Sequence, residues 1–89
     1  MAKQKDCYRI VFYPYITEKS MGLIEKENKL EFVVKKEATK PEIKRAIEEI
    51  LGVKIDKVTT RITKEGKHAI VKLKKEYSAS ELGMRMGVI

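Results

Sequence analysis

Thr39-Lys40-Pro41-Glu42 opens the segment that most constrains this chain. A threonine at an N-cap accepts from the free N–H groups of a first helical turn, and a glutamate three residues on reaches back to the N–H of the cap. Pro41 falls in that first turn, where its missing N–H costs nothing. Ile43, Ala46, Ile47, Ile50 and Leu51 then recur at i, i+3, i+4, i+7 and i+8, with Lys44, Arg45, Glu48 and Glu49 on the wet side. Gly52 supplies the stop. The helix over 40–51 has a single apolar face to bury, and it is read as a crossover between the strands on either side of it.

Residues 7–13, CYRIVFY, are apolar and β-prone and read as a first strand closed by Pro14. Thr17 is an N-cap, with Ile16 and Met21 placed as a hydrophobic staple, for a helix that runs to about Glu27 and stops at Asn28. In 29–36, KLEFVVKK, Leu30, Phe32 and Val34 alternate with Glu31, Val33 and Lys35. After Gly52, residues 53–63 alternate with a phase break near Asp56, which predicts a bulge. Val58, Thr60 and Ile62 share one side there, and Lys57, Thr59 and Arg61 the other. Lys64-Glu65-Gly66 is a short turn, and residues 67–74 return with Ala69, Val71 and Leu73 opposite His68, Ile70, Lys72 and Lys74. Ser78 and Glu81 mark a last short helix that ends at Gly87. The order β-α-β-α-β-β-α, with the second hairpin strand slotted between two parallel ones, predicts a split βαβ sandwich. That is an α/β (α+β) domain over 1–89 on a mostly antiparallel four-stranded sheet, with residues 1–6 read as a disordered tail.

Charge narrows the function. Of 20 Lys+Arg against 13 Asp+Glu, residues 53–75 hold eight (Lys54, Lys57, Arg61, Lys64, Lys67, Lys72, Lys74, Lys75) against Asp56 and Glu65. Nearly the whole net charge of +7 therefore lies in one hairpin. Two readings fit: a phosphate-binding surface, or a lysine-rich hairpin blunted against edge pairing. No apolar run approaches the ~20 residues of a membrane span, so no membrane insertion is expected. MAKQKDCYRI has no apolar h-region, so no secretory signal is expected. The lone Cys7 fits a reducing cytosol and reads as a small buried apolar residue.

No catalytic constellation emerges, and an enzyme is not expected. His68 has no partner carboxylate nearby in sequence, so it reads as an RNA contact or a surface residue rather than a general base. Cys7 lacks the companions of a metal site, and no glycine-rich phosphate loop occurs, so no cofactor is implied. Nor do the strands carry the exposed aromatics of an RNA-recognition motif. Lysine, threonine and arginine grip phosphate and ribose more than they read bases. A protein-interaction module that binds an acidic partner is the other class the composition allows.

Three collinear blocks then carry a resemblance: Pro14-Tyr15-Ile16-Thr17-Glu18-Lys19-Ser20, Ala38 through Glu48 running on to Val58-Thr59-Thr60, and Lys67-His68-Ala69-Ile70-Val71-Lys72-Leu73-Lys74 with Leu82 beyond. Over residues 14–82 the chain resembles the large-subunit ribosomal proteins of family twenty-three, which sit at the rim of the polypeptide exit tunnel. It departs where the family often has Asn-Thr in place of Thr59-Thr60, and a second Lys/Arg in place of His68. Bacterial members carry a long hairpin loop, whereas Lys64-Glu65-Gly66 is short, as in the archaeal branch.

The resemblance implies a cytoplasmic, ribosome-bound protein, monomeric outside the ribosome, that binds large-subunit rRNA beside another small ribosomal protein. With the charge pattern, it nominates Lys54, Lys57, Arg61, Lys64, Lys67, His68 and Lys72 as contacts, and Lys19, Lys40 and Lys44 as secondary ones. In bacterial relatives a glutamate in the block matching Thr17-Glu18-Lys19 anchors a ribosome-bound chaperone. The resemblance therefore makes Glu18 a docking point, here for signal recognition particle or the translocation channel. An acid in a first helical turn is also favoured by the helix dipole alone.

Overall fold

The computed structural model describes residues 9–87. Cys7 and the tail expected over 1–6 lie outside the described residues. The elements are β1 (Val11–Pro14), α1 (Glu18–Glu27), β2 (Lys29–Val34), α2 (Lys40–Leu51), β3 (Ile55–Thr63), β4 (Gly66–Leu73) and α3 (Ala79–Met86). This is the expected β-α-β-α-β-β-α order. β2 stops at Val34 rather than residue 36, β3 starts at Ile55 rather than 53, β4 spans Gly66–Leu73 rather than 67–74, and the first strand differs most. Arg9 and Ile10 are helical, so β1 starts at Val11 and keeps Pro14 as its last residue. A short apolar run does not distinguish strand from helix by period. Proline is tolerated at β1 because this is an edge strand.

The sheet order is β1-β2-β4-β3, with every neighbouring pair antiparallel. The last strand thus lies between β2 and β3, which run parallel to each other, as the split βαβ reading requires. The irregularity in β3 falls between Ile55 and Lys57, at Asp56. Leu30, Phe32 and Val34 of β2 and Ala69, Val71 and Leu73 of β4 share one face. They pack there with Ile24 of α1, Ile43, Ala46 and Ile47 of α2, and Ala79 and Leu82 of α3. Ile43 and Ile47 are essentially inaccessible to solvent. The helices α1, α2 and α3 therefore pack on one side of the sheet; on the other, Lys57, Thr59, Arg61 and Lys72 are exposed while Glu31, Val33 and His68 are buried.

Local signals hold the helices where that arrangement needs them. The Thr39 N–H donates to Glu42 Oε1 (2.9 Å) and the Glu42 N–H to Thr39 Oγ1 (3.4 Å), closing the capping box. Those bonds from Thr39, the backbone one first, hold the Glu42 carboxyl below the usual carboxylate range. At α1 the box is made by Thr17 and Ser20. The β3–β4 turn needs only Lys64 and Glu65, because Gly66 takes φ +127°, where an L side chain would be strained.

Asn28 does more than end α1. It sits in the left-handed region (φ 57°) as the C-cap. Its Nδ2 donates to the carbonyls of Tyr77 (2.9 Å) and Leu73 (3.4 Å), and its Oδ1 accepts from the Ala79 N–H (2.7 Å). One side chain thus ties the end of α1 to the end of β4 and the start of α3. Asn28→Gly keeps the backbone conformation and loses the side-chain bonds, and is expected to destabilise the fold by about 1–3 kcal/mol in urea unfolding. Asn28→Ala should cost about 1–2 kcal/mol more, because alanine resists the left-handed conformation.

Candidate nucleic-acid interface

The face of the sheet away from the helices is built by register. In antiparallel pairs, residues directly opposite point to the same side. Lys29 of β2 is opposite Lys72 of β4, and Lys72 is opposite Lys57 of β3. Three lysines from three strands therefore stand abreast. With strands about 4.8 Å apart, the row spans about 10 Å across the sheet. Lys57 and Lys72 are exposed, while Lys29 is half-buried and pairs with Glu27 at 3.0 Å. The next row is Glu31, Ile70 and Thr59, and the one beyond it is Val33, His68 and Arg61. Like charges placed directly opposite destabilise a sheet. Glu27 offsets Lys29 in the free protein, which leaves Lys57 and Lys72 as the exposed charges of the row.

Beside the lysine row sits a buried carboxylate. Glu31 is 5% exposed, and its Oε2 accepts from Arg61 Nη2 (2.8 Å) and bonds His68 Nδ1 (2.8 Å). The hydrogen bond and charge of Glu31 push the Arg61 guanidinium further above its ordinary range. His68 Nε2 meets Thr63 Oγ1 at 2.7 Å and lies 3.6 Å from Glu65 Oε1. The Tyr15 ring stands edge-on to the imidazole, with centroids 4.4 Å apart.

This placement sorts the expected contacts. His68 is on the expected side but fully buried, so it cannot meet a phosphate directly; against the expectation of no carboxylate nearby, it bonds Glu31 from β2 and has Glu65, three residues back, 3.6 Å from its Nε2. Lys67 is opposite Val34 and Ile62, on the helix side, and its Nζ donates to the Ala38 carbonyl (2.7 Å). It closes the β2–α2 loop and does not belong to the basic face. Lys54 lines a cleft with Arg45, Glu48 and Tyr77, away from the lysine row. Lys64 is exposed in the turn. Lys40 and Lys44 of α2 meet Lys57 around a cleft at the β3 edge that also contains Asp56. Lys19 and Glu18 are exposed in the first turn of α1. The positive hairpin is thus divided. Lys57, Arg61 and Lys72 share the open face, and Lys67 and Lys54 do not.

Two residues of the face escape the charge count by segment. Lys29 lies outside the basic hairpin and joins it only through the β2–β4 register. Glu31, in an alternating strand, shows no sign in sequence of the partners it finds 30 and 37 residues away. Among the described residues no group of three or more His, Cys, Asp or Glu could hold a metal ion, and no helix is long and apolar enough to cross a membrane.

Residues 9–81 match the family described as ribosomal protein L23. Similar proteins include the "Large ribosomal subunit protein uL23" of Methanothermobacter thermautotrophicus, 44% identical over 84 residues, which are 93% of this chain and 98% of the relative. The protein of that name from Methanobrevibacter smithii is 49% identical over the same shares. That of Thermoplasma acidophilum is 49% identical over 79 residues, 89% of this chain and 94% of its own.

The lysine row has a stability signature. Lys72→Gln removes the middle charge, and should stabilise the free protein by roughly 0.2–1 kcal/mol in low-salt urea unfolding. The gain should shrink as added salt screens the row.

Proposed function

This chain belongs to the ribosomal protein L23 family, and on that premise we propose that it is a structural, non-enzymatic component of the large ribosomal subunit that grips large-subunit rRNA with its open sheet face. The observation that carries the reading is the row Lys29–Lys72–Lys57. Cations held abreast by backbone pairing offer fixed spacing to a sugar–phosphate backbone, and Thr59 and Arg61 on the same face add hydrogen-bond donors. Such groups position an RNA by its shape and phosphates rather than by its bases. Lys40, Lys44 and Lys64 extend the positive charge along the edge and turn of β3.

On the resemblance to the family, the proposal extends to a position in the cytoplasmic ribosome at the rim of the polypeptide exit tunnel, beside another small ribosomal protein. The two-residue β3–β4 turn suits a member that does not reach into the tunnel. The exposed Glu18 heads α1, which packs on the opposite side of the sheet from the lysine row, so RNA on the open face leaves α1 accessible. This favours Glu18 as a docking point for signal recognition particle or the translocation channel.

Binding to large-subunit rRNA should weaken steeply with salt. Replacing Lys29, Lys57 and Lys72 together by glutamine should flatten the log–log slope by roughly 2–3, at about 0.7–0.9 per lost phosphate contact. Lys67→Ala should leave the slope unchanged. An equal slope in the triple variant rules out the open face as the contact. For docking, ribosomes that carry Glu18→Ala should recover several-fold less targeting factor in pull-downs, and equal recovery removes that role.

A further inference from the structure

A buried acid on a surface that binds RNA calls for an explanation, because a carboxylate repels phosphate. Glu31 is on the same face as the lysine row, one position along β2 from Lys29 in the alternation, yet it is 5% exposed. Its Oε2 is held from two sides, by His68 Nδ1 and Arg61 Nη2, each at 2.8 Å. A carboxylate only accepts, so Nδ1 carries the proton in that bond. The other ring nitrogen is committed to Thr63 Oγ1, and the Tyr15 ring closes on the imidazole edge-on. His68 is therefore immobile, and it fixes the carboxylate. The Arg61 side chain, by contrast, is 44% exposed. One corner of its guanidinium is tied to Glu31, Glu65 lies within electrostatic reach, and the exposed side chain has further N–H donors of a planar fork available to a ligand.

We propose that Glu31 is a positioning residue: backed by His68, it holds the Arg61 guanidinium in one orientation so that its free donors clamp a phosphate of the bound RNA. This rests on the rRNA reading above and specifies how one contact of that face is made. A free arginine loses side-chain freedom when it binds, whereas one already held loses less. The fork then makes paired, directional bonds that a lysine cannot make.

The proposal opposes simple electrostatics, and that makes it testable. Glu31→Gln raises the net charge by one and on charge alone should tighten RNA binding. Positioning predicts that it weakens binding to protein-free large-subunit rRNA by about tenfold at fixed salt. Arg61→Lys, which keeps the charge and loses the held fork, should weaken binding by a similar factor. In the Arg61→Lys background, Glu31→Gln should cause no further loss. The proposal is overturned if the wild type binds and Glu31→Gln binds as tightly or more tightly, or if its loss is the same with Arg61→Lys present, which marks a general structural role. Should Glu31→Gln fail to fold, Arg61→Lys decides alone, since unchanged affinity shows that a point charge suffices. A wild-type protein that does not bind the rRNA overturns the parent reading together with this one.

Discussion

A carboxylate removed from water in the middle of a sheet has to be answered by cations or donors, and the open face is organised around the answer to Glu31. The charge comes from β2, the imidazole from β4 and the guanidinium from β3. Three strands are thus bound by one oxygen as well as by their ladders. A one-residue slip of β4 would turn His68 toward the helices and Ala69 outward, and leave Glu31 with half its partners. Losing one partner of a buried charge is costly, because the remaining charge stays buried without compensation. The same register that satisfies Glu31 sets Lys29, Lys72 and Lys57 side by side. The polar cluster and the cationic row are two results of one alignment.

The two faces of the sheet divide the requirements of the molecule. On the helix side, apolar residues of β2, β4, α1, α2 and α3 form a closed core, and burial there supplies the main favourable term for folding. On the other side, Lys57 and Lys72 lie opposite each other and exposed, a pairing of like charges that costs a sheet some stability.

Much of this was legible in the sequence. The capping box at Thr39, the apolar face of Ile43, Ala46 and Ile47, the terminator at Asn28, the bulge at Asp56 and the slotting of β4 between β2 and β3 are as the residues predict. These features are local, or follow from the handedness of a crossover. What the sequence hid is depth and long-range partnership. Alternation tells which side His68 faces; it cannot tell that Tyr15, Glu31 and Thr63 leave the ring no solvent. Counting charge along a segment groups Lys67 with Lys72, although strand period sets neighbours of odd separation on opposite sides. Lys29 belongs to a different stretch of chain and becomes part of the row only through pairing with β4. The other bonds of Asn28 are equally invisible, since its partners lie 45 to 51 residues on.

The place of β4 governs when this architecture can exist during synthesis. β4 is last among the strands in chain order, yet it lies inside the sheet. While a growing chain still lacks residues 66–73, β2 and β3 have no strand between them, and β3 has no partner at all. Of the sheet's three ladders, only β1–β2 has both its strands at that stage. Both ladders need β4, so the face that β2, β3 and β4 share cannot form before residues 66–73 have been made.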